Sequence, residues 1–297
     1  MIENYIQRNN WNEVDIEGLL VENGLEDYNM TKNGRTIPAI RGHLTVRVEQ
    51  NGSINEIPVN YFTTKYKNDG TENPIYTSLK RVKDEYVSLA SSDAEHQPDM
   101  VHIKGANIEM NEYYPAGSNV LTSYPRIKGT FCERVRRDEV KPHATFSAIM
   151  MVHSTTYEVD KEGIETGRYK VIGLIPAYGD TINCIPFIVE EKKYIDIISN
   201  NWEKGNTVFC KGFLRFTSST QTIVKEVDFG DPVEKQMTVS ISEIIINGGQ
   251  TMPLEEEQSY DINYINTCLE NRKHANENKK KMVSESSTSS VLNDLGF

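Results

Sequence analysis

Apolar and polar residues alternate along several short segments of the first half of the chain, and the segments are separated by Gly, Asn or Pro. Three of them are VDIEGLLVENGLEDY (14–28), PAIRGHLTVRVEQ (38–50) and INEIPVNYFTTKY (54–66). A period of two with many β-branched residues predicts β-strands. The same pattern resumes at DMVHIKGANIEM (99–110) and SYPRIKGTFCERV (123–135).

Between the third and fourth of these segments, NPIYTSLKRVKDEYVSLA (73–90) has a different period. Its apolar residues, at steps of four and three, are Ile75, Leu79, Val82, Tyr86 and Leu89. This spacing predicts an amphipathic helix. Asn73 is suited to cap it and Pro74 to occupy its first position.

The second half of the chain repeats this order. INEIP (54–58) returns as INCIP (182–186), and VHIKG (101–105) returns as VFCKG (208–212). The remaining strand-like segments are ATFSAIMMVHSTTYEV, GRYKVIGLIP, TINCIPFIVE, NTVFCKGFLRFTS, QTIVKEVD and KQMTVSISEIIINGG, with the helix-like KKYIDIISNNWEKG before NTVFC. Shared phrases in the same order indicate two versions of one domain.

Each repeat therefore reads as three strands, one helix and two or more further strands. This order predicts an all-β protein with a few helices, built from two tandem OB-fold-like Greek-key barrels. An SH3-like barrel or a β-sandwich is the alternative. The predicted divisions are an N-terminal segment (1–13), two domains (14–141 and 142–252) and a flexible tail with a possible short helix (253–297).

Charge and composition restrict the function. With 32 basic and 43 acidic residues, the net charge is −11, so any surface that binds a polyanion must be local. The four cysteines lack the spacing of a zinc site or a disulfide scaffold: Cys132, Cys184, Cys210 and Cys268. No signal peptide or membrane-spanning run is apparent. We expect a reduced, cytoplasmic, soluble protein.

The most informative strand is VFCKGFLRF (208–216), because side chains alternate between the two faces of a strand. One face carries Val208, Cys210, Leu214 and Phe216, and the other carries Phe209, Lys211, Phe213 and Arg215. Rings that stack on bases, with cations that meet phosphates, are typical of sequence-tolerant single-strand binding. The alternative is a ring that packs on the neighbouring domain beside solvated cations.

Further candidates for nucleic-acid contact lie on neighbouring strands. In the second repeat they are Arg168, Tyr169 and Lys170. In the first repeat they are Arg41, Arg47, Tyr61, Phe62, Lys65, Tyr66, Lys67 and Lys104, although some of the tyrosines are expected in the core. The six histidines do not cluster along the sequence, and no phosphate loop or catalytic motif is found. We therefore predict no enzyme, no metal and no cofactor.

The second repeat also resembles a known family. NNWEKGNTVFCKGFLRF followed by VSISEIIINGGQTM is similar to the bacterial single-stranded DNA-binding proteins, over about residues 144–252. The matching residues are Lys204, Gly205, Val208, Gly212, Leu214, Arg215, Gly248, Gly249, Thr251 and Met252. Two barrels in one chain are more similar to phage or mobile-element versions than to the tetrameric one-barrel form.

The resemblance also concerns the C-terminus, since members of that family end in an acidic segment and a terminal Phe that docks replication and repair partners. Here NDLGF keeps Asp294, Leu295 and Phe297 without the acidic cluster. The resemblance implies that the chain binds and protects single-stranded DNA in replication or recombination, and that its tip docks protein partners. The alternative function is a protein-interaction module or replication adaptor without direct DNA binding.

Overall fold

The computed structural model describes residues 11–32, 34–225 and 233–294. Side chains are described for these residues except those in 219–237 and those after residue 283. Within these ranges the strands are β1 Asn12–Asn23, β2 Glu26–Lys32, β3 Arg35–Gln50, β4 Ser53–Thr64, β5 Met100–Tyr113, β6 Thr122–Lys128, β7 Glu133–Val135, β8 His143–Val159, β9 Glu165–Ala177, β10 Thr181–Val189, β11 Thr207–Lys225 and β12 Val233–Gly249. The α-helices are α1 Pro74–Glu85, α2 Lys192–Asn201 and α3 Ile262–Asp294, and short 3-10 turns span Leu89–Ser91 and Glu256–Gln258.

The first barrel closes through β1, β3, β4, β6 and β5. Strand β1 pairs antiparallel with both β3 and β5, so the sheet returns to its starting strand. Strands β3 and β4 pair antiparallel, β4 and β6 pair parallel, and β6 returns antiparallel to β5. With α1 between β4 and β5, this is the five-stranded order of the OB-fold.

The second barrel repeats this order through β8, β9, β10, β12 and β11. Strand β8 pairs with β9 and with β11, β10 pairs parallel with β12, and α2 lies between β10 and β11. The predicted fold class, two tandem OB-fold-like barrels in an all-β protein with a few helices, is therefore confirmed.

The repeated phrase INxIP has the same position in both barrels. Pro58 in β4 directly precedes Val59, where β4 begins to pair with β6. Pro186 in β10 directly precedes Phe187, where β10 begins to pair with β12. Both prolines also lie inside an antiparallel ladder, Pro58 opposite Thr45 of β3 and Pro186 opposite Ile172 of β9. Because proline has no backbone N–H, each removes one donor from its strand just before the parallel pairing begins.

The two barrels are joined through their first strands. β1 and β8 pair antiparallel from Asn12 opposite Ala148 to Glu17 opposite His143. Buried hydrogen bonds add to this junction, because Phe216 donates its backbone N–H to Asn55 Oδ1 at 3.0 Å. A single cluster of buried apolar residues extends through both barrels. The relative position of the barrels is thus held by backbone pairing and by a shared core.

The predicted helix of the first repeat is confirmed, although it is shorter than the spacing of its apolar residues predicts. Asn73 Oδ1 accepts a hydrogen bond from the backbone N–H of Ile75 at 3.1 Å, and Leu79 and Val82 are buried. The helix ends at Glu85, so Leu89 lies in the following 3-10 turn.

The strand predicted over residues 221–228 is not separate. Residues 221–225 continue β11, which pairs with β12 from Cys210 opposite Gly249 to Lys225 opposite Val233. Residues 226–228 lie outside the described residues. Strand β2, which pairs with the start of β3, was missed as a separate strand because Gly24 interrupts the predicted segment 14–28 without ending it.

The predicted C-terminal tail does contain a helix, α3, but the part whose side chains are described packs on the barrels, where the sequence predicts a flexible segment. Tyr260, Ile265 and Cys268 are buried against the second barrel. Arg272 and Asn276 both donate hydrogen bonds to the Glu112 carboxylate of β5, in the first barrel. Burial raises the pKa of Glu112, but these hydrogen bonds outweigh burial and lower it. The start of α3 therefore contacts both barrels, because its apolar residues and Arg272 have partners that the sequence pattern does not reveal.

The predicted docking residues lie at the end of the chain. Leu295 and Phe297 lie outside the described residues, and the side chain of Asp294 is also not described. The partner-docking role of these three residues stays a prediction. No helix in the described part is both long and apolar enough to cross a membrane.

Candidate nucleic-acid interface

The predicted alternation along β11 is confirmed. Val208, Cys210, Leu214 and Phe216 are buried, whereas Phe209, Lys211, Phe213 and Arg215 are partly or fully exposed. Gly212 is required by the backbone, since a Cβ there would lie 1.8 Å from the carbonyl oxygen of Ile245. The register between β11 and β12 also shifts at this point. We call the outward residues 209, 211, 213 and 215 the β11 face.

Arg215 of the β11 face is bound by carboxylates. Its Nη1 lies 2.6 Å from Glu190 Oε1 and 3.2 Å from Glu243 Oε2. Arg168 of β9 reaches the same Glu243 at 2.5 Å and also Glu158 at 2.8 Å. Hydrogen bonds from Arg215 lower the pKa of Glu190, so this carboxylate remains ionised. The structure brings Arg168 and Arg215 together as predicted. Three carboxylates, those of Glu158, Glu190 and Glu243, bind these two guanidinium groups, so acidic groups outnumber basic ones here.

Two of the predicted tyrosines are wrong as base-stacking residues. Tyr169 is only 7% exposed and Tyr61 only 3% exposed, and both belong to the core. Tyr169 lies between the outward Arg168 and Lys170, because three consecutive residues of a strand cannot share a face. In β4 the inward positions include Tyr61, so Phe62 points outward and is 51% exposed. Burial raises the pKa of Tyr61 well above its usual value.

Lys211 lies in a groove between the barrels. The groove is lined by Lys211 and Phe213 of β11, Thr145, Phe146 and Ser147 of β8, Glu13 and Asp15 of β1, and also Gln50, Gly212 and Asn247. Glu13 and Asp15 lie two strands away in the same sheet, across Ser147 and Thr145 of β8, and their carboxylates reduce the positive potential at this lysine. Lys170, on β9, is partly exposed opposite Ile188 of β10.

Most of the predicted cations of the first barrel are also paired. Arg41 lies 2.7 Å from Glu26 and stacks 4.1 Å above the centre of the Tyr28 ring. Arg47 binds Glu56 at 2.7 Å, and Lys104 lies 3.8 Å from Glu133. These are exposed pairs that a phosphate could displace at small cost, since such pairs contribute about 0–1 kcal/mol each.

A second groove lies between the β2–β3 hairpin and the loop after β4. Its lining includes Met30, Lys32, Arg35, Tyr66 and Lys67, and we call these five residues the basic groove. Lys65 adds a cation 5.3 Å from the centre of the Tyr66 ring. In the part of the chain that the structure describes, no carboxylate lies within ion-pair distance of these four cations.

The basic groove was only partly predictable. Lys65, Tyr66 and Lys67 were identified in the sequence, whereas Lys32 and Arg35 were missed. The hairpin folds Lys32 directly opposite Arg35, and strand β4 ends beside them. The sequence signal was present, since Asn33 and Gly34 between two alternating segments are typical of a hairpin turn.

Two histidines also come together, although the sequence predicted no cluster. The ring centres of His102 and His143 lie 5.8 Å apart, beside Asp15. They are 41 positions apart in the chain, and the pairing of β1 with both β5 and β8 brings them together.

Comparisons with known proteins give one family and several distant structural neighbours. No curated protein matches the sequence. A deletion mutant of the single-stranded DNA-binding protein from Thermus aquaticus is 10% identical, with a TM-score of 0.47 over 82% of this chain and 95% of that chain. The wild-type form of that protein is 8% identical, with a TM-score of 0.43 over 82% and 93%.

A Replication Protein A heterotrimer bound to single-stranded DNA is 12% identical, with a TM-score of 0.23 over 78% of this chain and 49% of that chain. The strand order described above, rather than these similarities, defines the fold. The model of the family named YorF matches residues 10–282. The chain therefore belongs to the YorF family.

Proposed function

We propose that this protein binds single-stranded DNA with little sequence preference, and that it does so to coat and protect strands exposed in replication or recombination. The observation that carries the proposal is the basic groove on an OB-fold barrel. In OB-folds the face of the second and third strands, with the loop between the first two, binds oligonucleotides. The β2–β3 hairpin and the end of β4 occupy this position in the first barrel.

The chemistry of the basic groove suits an unpaired strand. Tyr66 is 41% exposed and offers a ring on which any base can stack. Lys32, Arg35, Lys65 and Lys67 surround it and can contact successive phosphates. Because the whole chain carries a charge of −11, attraction of DNA is confined to such local patches.

The second barrel supplies a weaker contact in this proposal. Phe209 and Phe213 provide rings, but Arg215 and Arg168 are held by carboxylates and Lys211 faces Glu13 and Asp15. Two sites on one chain raise the effective concentration of the second site once the first is occupied. We propose that the first barrel dominates the affinity and that the second lengthens the contact.

Single-stranded oligothymidine is expected to bind much more tightly than a duplex of the same length, because paired bases cannot present their faces to Tyr66. Fluorescence anisotropy at several salt concentrations measures both affinities. The log–log slope for the single strand should be shallow, with about −0.7 for each phosphate neutralised. Equal affinity for the two forms would contradict base stacking as the mode of binding.

Replacing Phe213 with Ala should weaken oligothymidine binding by about 1–3 kcal/mol if its ring stacks on a base. The matched variant is Phe216→Ala on the same strand, whose ring is buried and faces the other way. Phe216→Ala should lower the thermal midpoint and leave the affinity of the folded protein unchanged. If Phe213→Ala has this same result, the β11 face is structural and the second barrel lacks the proposed contact.

A further inference from the structure

Four ionisable side chains meet where the two barrels join. Asp15 and Glu17 project from β1, His102 from β5 and His143 from β8. In the sheet, Glu17 is opposite His102 on one side and opposite His143 on the other. The two histidines therefore approach the carboxylates of β1 from different barrels. We call Asp15, Glu17, His102 and His143 the junction cluster.

The donor atoms of this cluster converge on one point. His102 Nε2 lies 2.5 Å from Asp15 Oδ1, and His143 Nε2 lies 3.3 Å from the same oxygen. One donor atom from each of the three residues lies within 4.8 Å of the others. In the described ranges, no other set of three His, Cys, Asp or Glu side chains meets this condition.

The other nitrogen of each ring also has a polar neighbour. His143 Nδ1 lies 2.7 Å from the carbonyl oxygen of Lys141, which can only accept, so this nitrogen carries the hydrogen. With the hydrogen on Nδ1, the lone pair available to a cation is that of Nε2, on the side of Asp15. His102 Nδ1 lies 3.6 Å from Glu17 Oε2, and Glu17 is itself held by the backbone N–H of Lys141 at 2.7 Å.

One carboxylate oxygen that lies 2.5 Å from one imidazole nitrogen and 3.3 Å from another is stabilised there by a shared proton or by a bound cation. Two imidazoles and one carboxylate, with His143 oriented through its second nitrogen by a carbonyl and His102 beside a second carboxylate, are similar to the usual surroundings of a bound transition metal. The side chain of Asp15 is half exposed, so the point is accessible from solvent.

We propose that the junction cluster binds a divalent transition metal of the Zn²⁺ type. The ligands are His102 Nε2, His143 Nε2 and a carboxylate oxygen of Asp15, and Glu17 and the Lys141 carbonyl orient the rings. Three protein ligands leave a coordination position for solvent or a phosphate oxygen. Because the ligands come from β1, β5 and β8, the metal ties the two barrels together.

The metal also changes the groove between the barrels. Asp15 lines that groove together with Lys211 and Phe213, two strands away in the same sheet. A divalent cation on Asp15 replaces negative charge with positive charge there, which favours a phosphate beside Lys211. Metal binding itself does not depend on the proposed function, since the cluster is complete without DNA.

The test is a titration of the metal-stripped, full-length protein with Zn²⁺ against a chromophoric chelator, with Co²⁺ absorption as a report on coordination. Wild-type protein should bind one equivalent, and His102→Ala and His143→Ala should each lose it. His96→Ala is the matched control, because His96 forms an exposed pair with Asp93 at 3.0 Å outside the cluster. It should retain one equivalent.

Asp15→Asn provides a variant of unchanged shape in case a histidine variant does not fold, and metal-free thermal unfolding reports on folding. Zn²⁺ should raise the thermal midpoint of the wild type but not of folded Asp15→Asn. Absence of binding by the wild type, as expected for a cluster that holds only a proton, would overturn the proposal. Full binding by both folded histidine variants would overturn it as well. No oligonucleotide is present, so either failure leaves the DNA-binding proposal untouched.

Discussion

Phe187→Ala is expected to lower the free energy of unfolding by about 3–5 kcal/mol, the usual cost of removing a buried aromatic ring. Phe187 is fully buried, and its ring centre lies 5.5 Å from that of Phe146. Its backbone is also the place where β10 begins to pair with β12 and closes the second barrel. Urea unfolding followed by circular dichroism measures the loss.

Phe62→Ala is the matched control for this prediction. Phe62 lies on β4, the strand of the first barrel that corresponds to β10, and more than half of its side chain is exposed. Its replacement should change the free energy of unfolding by no more than about 0.5 kcal/mol. Similar losses for the two variants would contradict the prediction, because they would show that burial of the ring does not determine the cost of its removal.

Replacing Lys32, Arg35, Tyr66 and Lys67 together with Ala is expected to weaken oligothymidine binding by about 4 kcal/mol, or roughly a thousandfold. One lost stack accounts for about 1–3 kcal/mol, and three exposed charge contacts account for up to about 1 kcal/mol each. The salt dependence should also become shallower, by about 0.7 for each phosphate contact removed.

The control for the basic groove removes the same number of positive charges, three, and one exposed tyrosine at positions outside the groove. Lys192, Lys204, Lys273 and Tyr178 are exposed, and they lie on or near α2, on α3 and in the β9–β10 turn. Their combined replacement with Ala should change the affinity little. If this control loses as much affinity as the groove variant, overall charge rather than the basic groove determines binding, and the proposed site is wrong.

The alternation of apolar residues determined the strands and the repeat of the barrel. Period-two patterns locate β3, β4 and β8 closely, because one face of each of these strands is buried and the other is not. The step of four and three locates α1, with Asn73 as its cap. The burial of alternate residues along β11 follows from the same rule. The rule also places Tyr61 and Tyr169 in the core, because the residues next to them in their strands point outward.

The partners of the exposed charges were decided only by tertiary structure. Arg215 finds Glu190 and Glu243, and Arg272 of α3 finds Glu112 of β5, at sequence distances that no periodicity encodes. The junction cluster depends on β1 pairing with β5 and β8 together, since His102 and His143 belong to different repeats. Local pattern determines which face of a strand is buried, because that is a property of one segment. Which side chains meet across two segments depends on strand order and register, and these are set by the packing of the whole chain.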